Sequence, residues 1–167
     1  MPTIILAMHG APPKDYPRSD LVDFFKLHMM HDLGPDEMPQ IMQEKHEYLH
    51  NKMREWPRTV ENDPFWDASL RLAEEVSRIT GNEVLVGFNE FCNPSIDKAL
   101  EIAVQSGNKD IIVITPMMTP GGEHSSVDIP KSIKNAQERY PSVSIRYAWP
   151  FDRVAVATFL AEQLSNH

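Results

Sequence analysis

Four short apolar runs rich in β-branched residues constrain this chain more than anything else: Thr3 to Met8, Glu83 to Phe88, Ile111 to Thr115 and Val143 to Ala148. Their length and composition are those of strands covered on both faces, the pattern of a parallel sheet. Helical segments alternate with them. Asp63-Pro64 supplies a cap and a first-turn proline ahead of a stripe expected to face the core, at Phe65, Leu70, Leu72, Ala73, Val76 and Ile79, and Gly81 closes it. Asn93-Pro94-Ser95 opens a helix through Ile96, Leu100, Ile102 and Ala103 that stops at Gly107. Asp128 with Pro130 opens another, to about Tyr140, and Asp152 opens the last, through Val154, Val156, Phe159 and Leu160 to about Leu164. Strict alternation with short connections predicts an α/β fold: a four-stranded parallel sheet with helices on both faces.

In such sheets ligands bind outside the carboxyl ends of the strands. His9-Gly10 follows the first run, Asn89-Glu90-Phe91 the second, and the loop Pro116 to Gly122 after the third leads to His124. All these strand ends fall on one edge. His9, Glu90 and His124 are therefore expected to converge, and two imidazoles with a carboxylate make a metal-handling constellation. Cys92, beside Glu90, is expected as a packed small hydrophobe. Phe88 and Phe91 divide into one core and one cleft residue.

Residues 14–62 stand apart, because a simple βαβ unit needs only a short loop there. Ser19 is a candidate cap for a helix carrying Leu21, Val22, Phe24, Phe25 and Leu27 and ending near Gly34-Pro35. A second helix is expected from about Pro39 to Glu55. This segment holds His28, His31, His46 and His50, and it reads as a helical insertion covering the strand ends. All four strands lie outside it, so its removal is expected to leave the sheet folded. Within it, His46-Glu47-Tyr48-Leu49-His50 matches the HExxH pattern of zinc peptidases, in which two histidines share a helical face and the glutamate acts as base. The parallel α/β setting and the missing third ligand count against that reading, and the other readings are a polar helix face or an accessory metal site or substrate lid with His28 and His31.

The 167 residues fit one domain with a substantial core, here residues 1–167 with the insertion at about 14–62. A formal charge of −8 argues against nucleic acid as a partner, since phosphate neutralisation needs clustered Lys and Arg. No apolar run reaches the roughly 18 residues of a membrane span. The opening MPTIILAMHG reads as a first strand and not a secretory signal. One cysteine fits a reducing compartment, so a cytoplasmic setting is expected. No phosphate-binding glycine loop is present.

His9-Gly10, the stretch Phe88-Asn89-Glu90-Phe91 with Asn93-Pro94-Ser95-Ile96, the run GGEHSSVDIP and the strand IRYAWP together resemble the class II tetrapyrrole chelatases. Among these the similarity is to the small sirohydrochlorin cobalto-, nickelo- and ferrochelatases. The resemblance covers residues 3–13 and about 64–164, and leaves the insertion outside. It implies ATP-independent insertion of cobalt, nickel or iron into a tetrapyrrole such as sirohydrochlorin, with the metal as substrate and no organic cofactor. It also implies that His9, Glu90 and His124 bind the metal and take up the pyrrole protons, and that the chain pairs as a homodimer. A carrier that binds metal or tetrapyrrole without turnover is the alternative on the same fold.

Overall fold

The computed structural model describes residues 1–34 and 38–165, without the side chains of residues 32 and 33. The four expected strands are β1 (Thr3–Met8), β2 (Val84–Phe88), β3 (Asp110–Ile114) and β4 (Ser144–Tyr147). They pair in parallel in the spatial order β2-β1-β3-β4. β1 is interior and buried along its whole length, which is why it reads as an unbroken apolar run.

Between the strands run α3 (Pro64–Thr80), α4 (Ile96–Gln105) and α5 (Ile129–Arg139), and α6 (Arg153–Leu164) follows β4. The two-residue period of β1 separates two cores. Ile5 and Ala7, with Ile111 and Val113, pack on Ala99 and Leu100 of α4 and on Ile129 of α5. Leu6 and Met8, with Val86 and Phe88, pack on Ala73 of α3, with Trp66 and Leu70 beside it. Helices thus cover both faces. Each such Ile, Leu or Phe contributes roughly 1.5–3 kcal/mol relative to exposure.

The expected caps at three helix starts are in place. Asp63 accepts from the Trp66 N–H at 2.9 Å, Ser95 from Lys98 N–H at 3.2 Å, and Asp152 from Ala155 N–H at 2.9 Å. The α3 stripe differs from expectation, and the α6 stripe is left uncovered. On α3, Ala73 is buried while Phe65, Leu72 and Ile79 are exposed. On α6 no residue is buried, and Val154, Phe159 and Leu160 face outward. A helical stripe records an apolar face, and it does not record whether the same chain covers that face.

The insertion forms α1 (Arg18–Leu33) and α2 (Gln40–Arg54), packed on one another. Ser19 does not cap α1. The helix starts two residues earlier than a Ser19 cap implies, at Arg18 after Pro17, with no side-chain cap. Gly34 ends it, its N–H donating to Met30 O, and Pro35 lies outside the described residues. A third core of Tyr16, Phe24, Leu27, Met38, Leu49, Met53 and Phe91 joins these helices to the sheet edge. Phe91 comes from the turn after β2, so this core seats the helices over the strand ends.

Candidate metal centre

The pairing of β1 with β2 continues past both strands. Asn89 N–H donates to Met8 O at 2.9 Å, and Glu90 N–H donates to His9 O at 3.1 Å. Glu90 is thereby set beside His9 by backbone bonds. Gly10, at φ 115°, lets the two loops close, because a Cβ there would overlap the carbonyl oxygen of Glu90. The chain then turns sharply. Phe91 is the one non-glycine residue with positive φ among the described residues, at 59°, and Cys92 N–H donates to Glu90 O at 2.7 Å.

Two arginines from the insertion hold this turn. Arg54, at the end of α2, donates to Cys92 O at 2.7 Å and to Asn89 O at 2.8 Å. Arg58 donates to Ala11 O at 2.8 Å, to Met53 O at 2.9 Å and to Phe91 O. It also pairs with Asp63 at 2.6 Å, with side chains only 5% and 1% exposed. The loops after β1 and β2 are therefore stapled to each other through the insertion. Sequence reading missed both arginines. Their only signal was that they flank Trp56-Pro57 ahead of Asp63.

His124 reaches the same edge by a route the sequence did not indicate. It lies in a single π-helical turn, His124–Asp128, that runs directly into α5. Asp128 does not cap α5. Its backbone is already helical, and its carboxylate meets His124 Nδ1 at 2.7 Å. Nδ1–H is thus the donor and Nε2 carries the lone pair. From the far side, Tyr147 donates to Ser125 O at 3.0 Å and Trp149 Nε1–H to Met117 O at 3.0 Å, tying the end of β4 to this turn and its loop. Burial pushes the Tyr147 phenol up to about 12, so it stays a donor.

The three expected residues converge. His9 Nδ1 lies 2.9 Å from Glu90 Oε1, His124 Nε2 lies 3.4 Å from the same oxygen, and the imidazole centroids are 4.4 Å apart at 85°. One ligand atom from each falls within 4.8 Å of the others. His9 Nδ1 also faces Gly10 O at 3.3 Å, so it is the proton-bearing nitrogen. The lone pair of His124 Nε2, by contrast, confronts a carboxylate oxygen. Two acceptors facing each other call for a proton or a cation between them.

Glu90 and His124 open into a cavity of about 320 Å³, walled opposite by Phe24, His28 and His50 of the insertion. Asn89 Nδ2 is buried at this wall with no acceptor among the described residues. A larger apolar concavity, about 670 Å³, runs along the outer edge of β2 between α3 and α4, away from the three ligands. The candidate metal centre opens into the smaller one. Cys92 is buried, and that burial raises its thiol to about 11, which keeps it a packed hydrophobe and not a ligand.

The HEYLH histidines do not form a peptidase pair. His46 Nε2 faces His28 Nδ1 at 3.2 Å, while His50 Nε2 accepts from Arg54 Nε–H at 3.1 Å. Desolvation, then the Arg54 charge, lowers His50 to about 4.

A family model described as CbiX matches residues 66–166, more than half the chain. The chain belongs to the CbiX family. CbiX-family membership rests on the region of β2, β3 and β4, which carries Glu90 and His124. A sirohydrochlorin cobaltochelatase of Priestia megaterium is 35% identical over 97 residues, 58% of this chain and 27% of that protein. A sirohydrochlorin ferrochelatase of the same organism is 33% identical over 66 residues, 40% of this chain and 24% of that protein. The cobaltochelatase of Methanopyrus kandleri is 38% identical over 64 residues, 38% of this chain and 44% of that protein. The chain thus spans about a quarter of the length of the Priestia relatives. Among solved structures, a putative cobalamin (vitamin B12) biosynthesis CbiX protein from Marinobacter aquaeolei VT8 superposes with a TM-score of 0.53 at 17% identity. That match covers 99% of this chain and 98% of the other.

Proposed function

We propose that this CbiX-family protein inserts a divalent metal, cobalt, nickel or iron, into a tetrapyrrole such as sirohydrochlorin, without a nucleotide. The observation that carries the reading is the Nε2 lone pair of His124 facing Glu90 Oε1 at 3.4 Å, with His9 closing the trio. The sirohydrochlorin cobalto- and ferrochelatase names of its relatives support the substrate class.

The chemistry follows from the donor set. The incoming ion is the substrate, and imidazole with one carboxylate binds first-row divalent ions while leaving coordination positions for the macrocycle. As the metal enters the ring, two pyrrole N–H protons leave. His9, Glu90 and His124 serve as metal ligands and as proton acceptors, the carboxylate relaying to solvent. Asp128 orients His124 from behind.

In this reading residues 1–167 act as one chelatase domain, with the insertion covering the strand-end edge. It works as a homodimer in a cytoplasmic setting, on a tetrapyrrole and not on nucleic acid. The outward Val154, Phe159 and Leu160 of α6 support pairing with a second copy, and the charge of −8 disfavours nucleic acid. No described helix is long and apolar enough to cross a membrane.

The test is anaerobic incubation with sirohydrochlorin and each of Co(II), Ni(II) and Fe(II), following the visible spectrum. Catalysed conversion to the metallated spectrum is expected. Binding of the macrocycle without acceleration would identify a carrier instead.

A further inference from the structure

We propose that His28 and His46 form a second metal-binding site, at which a divalent first-row cation is held before it passes to His9, Glu90 and His124. The two rings project from facing helices, α1 and α2, and bring His28 Nδ1 to 3.2 Å from His46 Nε2. Two imidazole nitrogens bound at about 2.0–2.1 Å to a tetrahedral ion stand roughly 3.3 Å apart, so the pair already has the spacing of one ligand edge. In the ion's absence a single N–H bridges the two nitrogens. On binding, the donor ring gives up that N–H to solvent and takes a proton at its other nitrogen, so it stays neutral and the cation sits between two lone pairs.

The surroundings suit a cation in transit. His31, one turn beyond His28, stacks on His46 with centroids 5.1 Å apart, which sets a third imidazole beside the pair. Phe24 stacks on both rings, at 5.2 Å on His28 and 5.5 Å on His46, and fixes their planes against an apolar wall. His50 is not a member, because its Nε2 is committed to Arg54. Both ligands are partly exposed, so the ion has a path from solvent. His28 also lines the cavity into which Glu90 and His124 open. Two imidazoles and water hold Co, Ni or Zn more weakly than a full protein ligand set, as a site that must release its ion requires.

Binding stands on this geometry alone, whereas delivery rests on the chelatase reading. The experiment is an anaerobic Co(II) titration of the full chain, followed by calorimetry and ligand-field absorption. The parent is expected to take up about two equivalents, and both the His28→Ala/His46→Ala and the His9→Ala/His124→Ala variants about one each. Glu47→Ala, on the same helix, should titrate like the parent. Parent-like uptake by His28→Ala/His46→Ala overturns the site. Should that variant not fold, paramagnetic broadening of the His28 and His46 ring signals by Co(II) in the His9→Ala/His124→Ala chain decides, and sharp signals there overturn it. With sirohydrochlorin present, His46→Ala should metallate several-fold more slowly at scarce metal, with the deficit shrinking as metal rises. A deficit independent of metal concentration overturns delivery. A parent that does not metallate at all removes the chelatase reading and delivery with it, while the titration still decides the site.

Discussion

Asp128 Oδ2 sits 2.7 Å from His124 Nδ1, one π-helical turn further along the chain. That contact chooses the tautomer of His124 and aims its free lone pair at Glu90. Asp128→Asn keeps the shape and removes the charge. It is expected to lower metal affinity or metallation rate about 10- to 100-fold, the usual cost of losing a partner behind a ligating histidine. The ring nitrogen shifts of His124 should change with it. Unaltered kinetics and unaltered shifts would show that Asp128 does not orient the ring.

His9→Ala and His124→Ala should each nearly abolish metallation while leaving the thermal midpoint within a few degrees, since both stand at strand ends where truncation removes little packing. Glu90→Gln should slow turnover with a smaller loss of metal binding. Glu47→Ala should stay within a few-fold of the parent. Steady-state metallation and a thermal melt on each variant check the set, and loss at Glu47 with His9 dispensable would reverse the assignment.

Arg58→Met should be the most destabilising change near the site. It leaves the buried Asp63 carboxylate without its partner and frees three carbonyls. Breaking such a pair costs about 3–5 kcal/mol, on the order of 10 °C in Tm for a chain of this size. Urea and thermal melts measure it. Removing residues 18–60 takes away both arginines, so that deletion should unfold the strand-end loops and not leave the sheet intact as strand placement alone suggests.

His50 gives a pH dependence. Its folded-state value is lowered to about 4 from 6.5, chiefly by desolvation and then by Arg54. An unfolded chain protonates this ring near 6.5 and the folded chain does not. Its contribution to stability is therefore intact above pH 6.5 and is lost as pH falls from there towards about 4. The denaturation midpoint should decline across that window, and His50→Gln, which retains an acceptor for Arg54, should flatten the decline. An NMR midpoint for His50 near 6.5 would refute the burial argument.

Gly10→Ala tests how tightly the two loops close. The added Cβ meets the carbonyl of Glu90 at a backbone conformation L-residues avoid. A stability loss of about 1–3 kcal/mol is expected, with a larger fractional loss of metallation because Glu90 must move. Kinetics and melts on the same preparation separate the two effects.

The sheet, its helices on both faces and the meeting of His9, Glu90 and His124 were legible because they follow from periodicity and parallel connection, which are properties of neighbouring residues. The misreadings share one cause. Asp128 satisfied the local rule for a cap, but its partner lay four residues back in a π turn with no compositional mark. Phe91 adopts positive φ, which its side chain does not favour, because Arg54 and Arg58 hold the carbonyls around it. The pairing of those arginines with backbone oxygens across the fold leaves no trace in spacing. On α3 the apolar stripe was read as core-facing, yet Phe65, Leu72 and Ile79 are exposed.

His9, Glu90 and His124 come from three separate crossings of the sheet, with two long loops of chain between them. His9 and Glu90 meet only when β1 pairs with β2, and His124 joins them only when β1 has also found β3, so the unfolded chain does not contain the trio. An ion gripped there distinguishes native from denatured protein and raises the work of unfolding in proportion to the logarithm of its concentration. Under the proposed function the cargo also acts as a clasp, and each transfer of metal to the macrocycle would loosen the protein that made it.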